Sequence, residues 1–187
     1  MADFDVTNQR DSHDRLPDGD ESEWTIIARL PIMSGKIAVS DPMFYRDLPP
    51  PTTFEIANAT YDVAIKLMNY PGDQRVSRLR VLLGQTADFG PRLEDVGVDF
   101  AQVGVFDPRV LEKASESLSE KQCEELIEQF NTMHLYSVAQ FGSEPNAMMP
   151  FANSGFGDGR YPIHDLLRDG NRVGIEIVFI GPEVNAA

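Results

Sequence analysis

The densest group of chemistry-capable residues is the run Ser154-Gly155-Phe156-Gly157-Asp158-Gly159-Arg160-Tyr161-Pro162. Glycines at alternate positions allow positive φ and close approach of the backbone to a neighbour. A phosphate loop would add Lys-Ser/Thr and open a helix. This run has no lysine and leads into a strand-like sequence. Two readings stay open. One is a tight turn in which Asp158 bonds nearby amides. The other is a ligand or partner loop built from Gly155, Gly157, Asp158, Gly159 and Tyr161, because loops on a rigid sheet commonly carry function.

A second group is Asp41, Asp107 and Asp158, each at the end of an expected element. Converging carboxylates and open carbonyls would hold Ca²⁺ or Mg²⁺ and, with Tyr161 and His164, support hydrolysis of a small neutral or cationic substrate. Their plainer role is local capping. No EF-hand spacing is present. His13, His134 and His164 form no HxH or HExxH pattern, so no transition-metal site and no cofactor is expected. His164 with Asp158 or Asp165 has the composition of a proton-transfer pair, against the plainer reading of an exposed strand histidine. Cys123 falls on the apolar face of an expected helix and reads as a small buried hydrophobe. Ser154 lacks the GxSxG context of a nucleophile elbow.

The chain has 187 residues and carries 30 acidic against 16 basic side chains, a formal charge of −14. Such a surface repels phosphate backbones and anionic membranes. Nucleic acid and membrane are therefore not expected partners, whereas a basic protein is. A single cysteine excludes an intrachain disulfide and suits a reducing compartment. The opening MADFDVTNQRDSHDR has no apolar signal core, and no run reaches the roughly 20 apolar residues of a membrane helix. The expected location is the cytoplasm.

The elements that would position these residues are legible in part. Residues 1–22 are rich in Asp and poor in large apolar side chains and read as a disordered acidic tail. Residues 23–187 read as one β-rich domain. Residues 23–30 form a strand, Ser34-Gly35 a turn, and KIAVS a strand ended by Asp41-Pro42. Pro49-Pro50-Pro51 is an extended linker. Alternation over Tyr61–Met68 and Arg75–Leu82 around Tyr70-Pro71-Gly72-Asp73 predicts a hairpin, and Phe100–Phe106 a further strand.

Asp107-Pro108 starts one helix. Ser119-x-x-Gln122 caps a second, with Cys123, Leu126, Ile127 and Phe130 on one face. This second helix extends towards Phe141, and residues 142–159 are loop. Residues 160–167 and 172–180 pair around Asp169-Gly170. The class is α+β, mostly antiparallel sheet with two helices in the second half.

The chain also resembles a bacterial family known as domain of unknown function 4241. The resemblance is carried by Gly35-Lys36-Ile37-Ala38-Val39-Ser40-Asp41-Pro42, Phe54-Glu55-Ile56, Tyr61-Asp62-Val63, Arg75-Val76-Ser77-Arg78-Leu79-Arg80-Val81, Val105-Phe106-Asp107 and Gly157-Asp158-Gly159-Arg160-Tyr161-Pro162. It covers roughly residues 27–181. Where the family tends to have a glycine before its first hairpin strand, this chain has Asn58-Ala59-Thr60, and Asn58 tolerates left-handed geometry. The resemblance implies a fold class and a bacterial setting, and no activity.

These readings favour a protein-binding module, an immunity or accessory protein that neutralises a basic partner. Its surface would be the acidic helix face at Glu120, Glu124 and Glu128 together with the 142–159 loop. The alternatives are the small hydrolase with a carboxylate or divalent-cation site, and a self-assembling β-rich protein pairing through residues 172–180.

Overall fold

A computed structural model describes residues 19–44, 50–131 and 134–181. In chain order these form β1 (Asp20–Glu21), β2 (Thr25–Ile32), β3 (Lys36–Ser40), a 3₁₀ turn (Pro42–Phe44), β4 (Thr52–Glu55), β5 (Ala59–Tyr70), β6 (Asp73–Leu82), β7 (Asp88–Val98) and β8 (Gln102–Phe106). Then follow α1 (Pro108–Glu116), α2 (Glu120–Phe130), β9 (Tyr136–Gln140), β10 (Met148–Asn153), β11 (Gly159–Arg168) and β12 (Asn171–Val178). The protein is α+β, mostly antiparallel sheet, with both helices in the second half.

The larger sheet runs β1-β5-β6-β12-β11-β7. Strand β2 also pairs with β5, so β1 and β2 share one edge of that strand. The smaller sheet runs β4-β3-β8-β10-β9. Alternation along β3 shows how the layers are made. Ile37 and Val39 face the larger sheet and join Leu30, Tyr61, Val63, Leu79, Val105, Ile163 and Ile177 in one core. Ala38 faces the other way, into a second core with Leu111, Leu126, Phe130, Phe141 and Phe151 beneath the helices. Each such fully buried aliphatic side chain contributes roughly 1.5–3 kcal/mol by leaving water.

Local signals placed several elements as expected. Pro71-Gly72 turns β5 into β6, with Gly72 at φ +79°, and Asp169-Gly170 turns β11 into β12. Asp107 caps α1 with Pro108 in its first turn. Ser119 and Gln122 form a reciprocal capping box on α2.

The differences have physical causes. Helix α2 stops at Asn131, whose N–H reaches only the Ile127 carbonyl, and the stretch towards Phe141 is strand β9. Residues 148–153, expected as loop, are β10. Four of its six residues are buried, so no polar alternation marks it as a strand. Strand β7 is a sheet edge carrying Pro91 and several charges, features that suppress a strand signal and guard an edge against unwanted pairing. Strand β12, suspected of edge pairing, lies between β6 and β11 with both edges bonded.

Residues 20–22, expected within a disordered acidic tail over residues 1–22, are paired. Asp20 and Glu21 pair with Asn69 and Met68, and the Ser22 N–H donates to the Leu67 carbonyl. Residues 1–18 of that tail, and Pro49 of the proline run, lie outside the described residues.

Candidate functional site

The glycine run folds into a closed turn. The Ser154 hydroxyl and the Tyr161 hydroxyl both donate to the Gly157 carbonyl at 2.7 Å. The Gly157 N–H returns to the Ser154 carbonyl at 3.2 Å. Asp158 accepts from the Ala101 N–H at 3.0 Å, and the Ser154 N–H donates to the Ala101 carbonyl. Gly155 sits at φ +61°, and a Cβ there would lie 3.0 Å from Ile180 and 3.1 Å from Phe179. Burial raises the Tyr161 phenol above its ordinary range, and the Asp158 charge adds to this against the Ser154 hydrogen bond. The loop's polar atoms thus bond one another, Ala101 and, at the Gly155 carbonyl, Arg75 Nη1 at 3.2 Å. Phe156, Asp158, Gly159 and Arg160 are exposed, and the Arg75 guanidinium lies 4.7 Å from the Phe156 ring centre.

The three aspartates do not converge. Asp41 accepts from Met43, Asp99 and Phe100 amides, at 3.0, 3.0 and 2.8 Å. Asp158 bonds the next amide of the same turn before β8, that of Ala101. Asp107 lies past the opposite end of that strand. It accepts from Arg109 and Val110 at the start of α1 and from Met33 and Ser34 in the turn after β2, at 2.7 to 3.1 Å. Ala101 and Asp107 are roughly 20 Å apart along the chain at about 3.3 Å per residue. Among the described residues no three His, Cys, Asp or Glu side chains are grouped to hold a metal ion. The shared-cation arrangement is therefore not formed by these carboxylates.

His164 is buried, not exposed. Its ring stacks on Phe89 at 4.4 Å, Nδ1 lies 3.3 Å from the Gly90 carbonyl, and Nε2 has no hydrogen-bond partner among the described residues. Neither of the acid–base pairings considered for it, with Asp158 or with Asp165, forms. Asp158 is engaged at Ala101, and both Asp165 oxygens accept from Arg172.

Helix α2 presents the acidic face read from the sequence. Glu120, Glu124, Glu125 and Glu128 are exposed, with Lys121 3.4 Å from Glu125. Spacings of four residues keep Glu120, Glu124 and Glu128 on one stripe. Leu126 and Phe130 are buried as expected, but Ile127 is 47% exposed and Cys123 is half-buried. The helix turns only part of its apolar face inward. Ile127 therefore stands in solvent next to the glutamates, adjoining Glu124 and Glu128 at spacings of three and one.

The second concentration of charge was not anticipated. On the outer face of the larger sheet, cross-strand register aligns Arg80 with Glu176, Glu176 with His164, and His164 with Arg92. Glu176 is 5% exposed and accepts from Arg78 Nη1 at 2.8 Å. Burial raises its carboxyl above the ordinary value, outweighing Arg78 and Arg80. Burial likewise lowers the Arg80 guanidinium, opposed by Glu176 and Asp62.

Lys66 stands opposite Arg78 across the hairpin. Two like charges directly opposed are destabilising, and Glu21 answers them. It accepts from Lys66 Nζ at 2.9 Å, Ser77 Oγ at 2.8 Å and Arg78 Nε at 3.0 Å. Burial pushes the Glu21 carboxyl up, but the Lys66 and Ser77 hydrogen bonds and the charges of Arg78 and Lys66 prevail, and its pKa is lowered. Trp24 lies under the Arg80 guanidinium at 4.0 Å. The hairpin turn alone would place Ser77 opposite Lys66; a register shift between Lys66 and Leu67 brings Arg78 there instead, so this group was not legible from the turn.

The chain matches no protein-family model, no curated protein and no solved structure. Among the described residues no helix is long and apolar enough to cross a membrane.

Proposed function

We propose that this chain is a protein-binding module that takes a basic partner on α2. One observation carries the reading: Ile127 stands 47% exposed on a helix whose outer residues Glu120, Glu124, Glu125 and Glu128 are all exposed. An apolar anchor within a charged rim is the common anatomy of a protein interface. The charge of −14 would steer a basic protein towards it and speed encounter. The proposed setting is bacterial, from the resemblance read in the sequence to domain of unknown function 4241, and cytoplasmic, from the single cysteine; there an immunity or accessory role suits a neutralising acidic surface. The hydrolase alternative draws no support from the separated aspartates.

The test is co-purification on the full chain against two variants. One reverses the face (Glu120→Lys, Glu124→Lys and Glu128→Lys). The other is a control, Glu94→Lys, at an exposed site on β7. A stoichiometric basic protein retained by wild type and control, lost from the triple variant and released by salt, is the expected result. Equal retention by all three baits would remove α2 as the interface.

A further inference from the structure

The Glu21 contacts have the form of an occupied binding site. Donors from two strands, Lys66 Nζ, Ser77 Oγ and Arg78 Nε, close on one carboxylate. The side chains of Lys66 and Arg78 are 23% and 17% exposed, and Ser77 is fully buried. Beside this notch lies a strand edge. Among the described residues, residues 20–22 bond residues 67–69 of β5 on this side, through the Ser22 N–H to the Leu67 carbonyl at 2.8 Å, the Leu67 N–H to Ser22 Oγ at 2.9 Å, and Asn69 Nδ2 to the Asp20 carbonyl at 3.0 Å.

The strand that carries the occupant is short. Strand β1 has two paired residues, and the Ser22–Trp24 turn separates it from β2, which keeps its own register from Thr25↔Ile65 to Ile32↔Ala59. Strand β1 can therefore leave without unpairing β2. Its departure would expose a strand edge next to opposed cations, with Arg80 close by over the Trp24 ring. A strand edge supplies main-chain hydrogen bonds to an extended peptide, and the adjoining pocket selects its side chain.

We infer that Lys66, Ser77 and Arg78, with the 67–69 edge of β5, form a binding site for an acidic peptide of another protein in extended conformation, and that Glu21 occupies this site in cis. The chemistry of the occupant defines the ligand: a Glu followed by Ser, in a stretch carrying further acids, as in Asp20-Glu21-Ser22-Glu23. This site is distinct from the α2 face and takes the opposite charge. Tethering gives the cis segment an effective concentration in the millimolar range, so the intact chain keeps the site closed to weaker competitors.

The probe is a dye-labelled, end-blocked peptide Asp-Gly-Asp-Glu-Ser-Glu, titrated by anisotropy into the full chain and into the full-length Glu21→Gln variant. Trp24, the only tryptophan, reports displacement of the segment. Removing charge-assisted hydrogen bonds from the cis competitor should tighten peptide binding by about tenfold or more. The matching peptide with Gln in place of Glu should bind the variant about tenfold more weakly, a control that does not depend on any further mutation folding. A thermal melt of Glu21→Gln that keeps the wild-type cooperativity certifies the protein used. Saturable binding that is tighter in Glu21→Gln, selective for the Glu peptide and accompanied by a Trp24 change supports the site. Absence of saturable binding, equal affinity of both proteins, or indifference to Glu against Gln in the peptide would each overturn it.

Discussion

Two regions of this molecule concentrate charge, and they use it differently. On the outer face of the larger sheet, Glu176, Arg78, Lys66 and Glu21 are buried or part-buried and joined by hydrogen bonds, with Arg80 opposite Glu176. On α2 the glutamates are exposed and separate. The first set has lost much of its water and is held by geometry, so changing one member leaves another stranded in a poor solvent. The second keeps its hydration and contributes little to the fold. Count of charges alone would rank the two alike. Their desolvation predicts that one region governs stability and the other recognition.

The sharpest way to break this comparison is Arg78→Ala. It removes the hydrogen-bonded partner of buried Glu176 and one of the three donors to Glu21, and should cost about 3 kcal/mol in urea unfolding. A loss no larger than that of an ordinary surface substitution would show that the network is solvated after all.

A smaller effect separates the two glutamates of the network by sign. Glu176 has a raised pKa, so its contribution is present below the unfolded value of 4.5 and is lost as pH rises through its folded value. Glu21 has a lowered pKa, so its contribution is present above 4.5 and is lost as pH falls through its folded value. Stability measured against pH should therefore fall less steeply above 4.5 in Glu176→Gln than in wild type. In Glu21→Gln the fall below 4.5 should be the shallower one. Identical pH profiles for all three proteins would contradict both assignments.

The smallest effect is expected on α2. Replacing Glu120, Glu124 and Glu128 together by Gln should leave the thermal midpoint within about 2 °C of wild type, as expected for solvated surface positions. A shift of several degrees would mean that these charges support the helix and are not free for a partner.

Much of the fold was legible because its signals are local. Pro71-Gly72, Asp169-Gly170, Asp107-Pro108 and the Ser119/Gln122 box each act within four residues. So the β5–β6 and β11–β12 hairpins and both helix starts fell where the sequence put them. The acidic stripe of α2 was legible for the same reason, although Ile127 was assigned to the wrong side of the helix surface.

What stayed hidden depends on strand order. Met148–Asn153 has no period-two pattern because both its faces are buried. His164 looked like an exposed strand residue because its cover, Phe89, comes from β7 across the sheet. Glu21 looked like part of a solvated tail because its three donors lie more than 40 residues away in sequence. The aspartates show the converse error. Similar positions at element ends suggested one site, and the topology assigns Asp107 to the opposite end of β8 from Asp41 and Asp158.

The claim that α2 is the recognition surface is tested most directly by amide hydrogen exchange of the full chain, alone and with the basic protein that co-purifies with it. The account predicts added protection over residues 120–130, weakened by salt, with the larger sheet unchanged. Protection confined to β5 and β6, or no partner that alters exchange anywhere on α2, would contradict it.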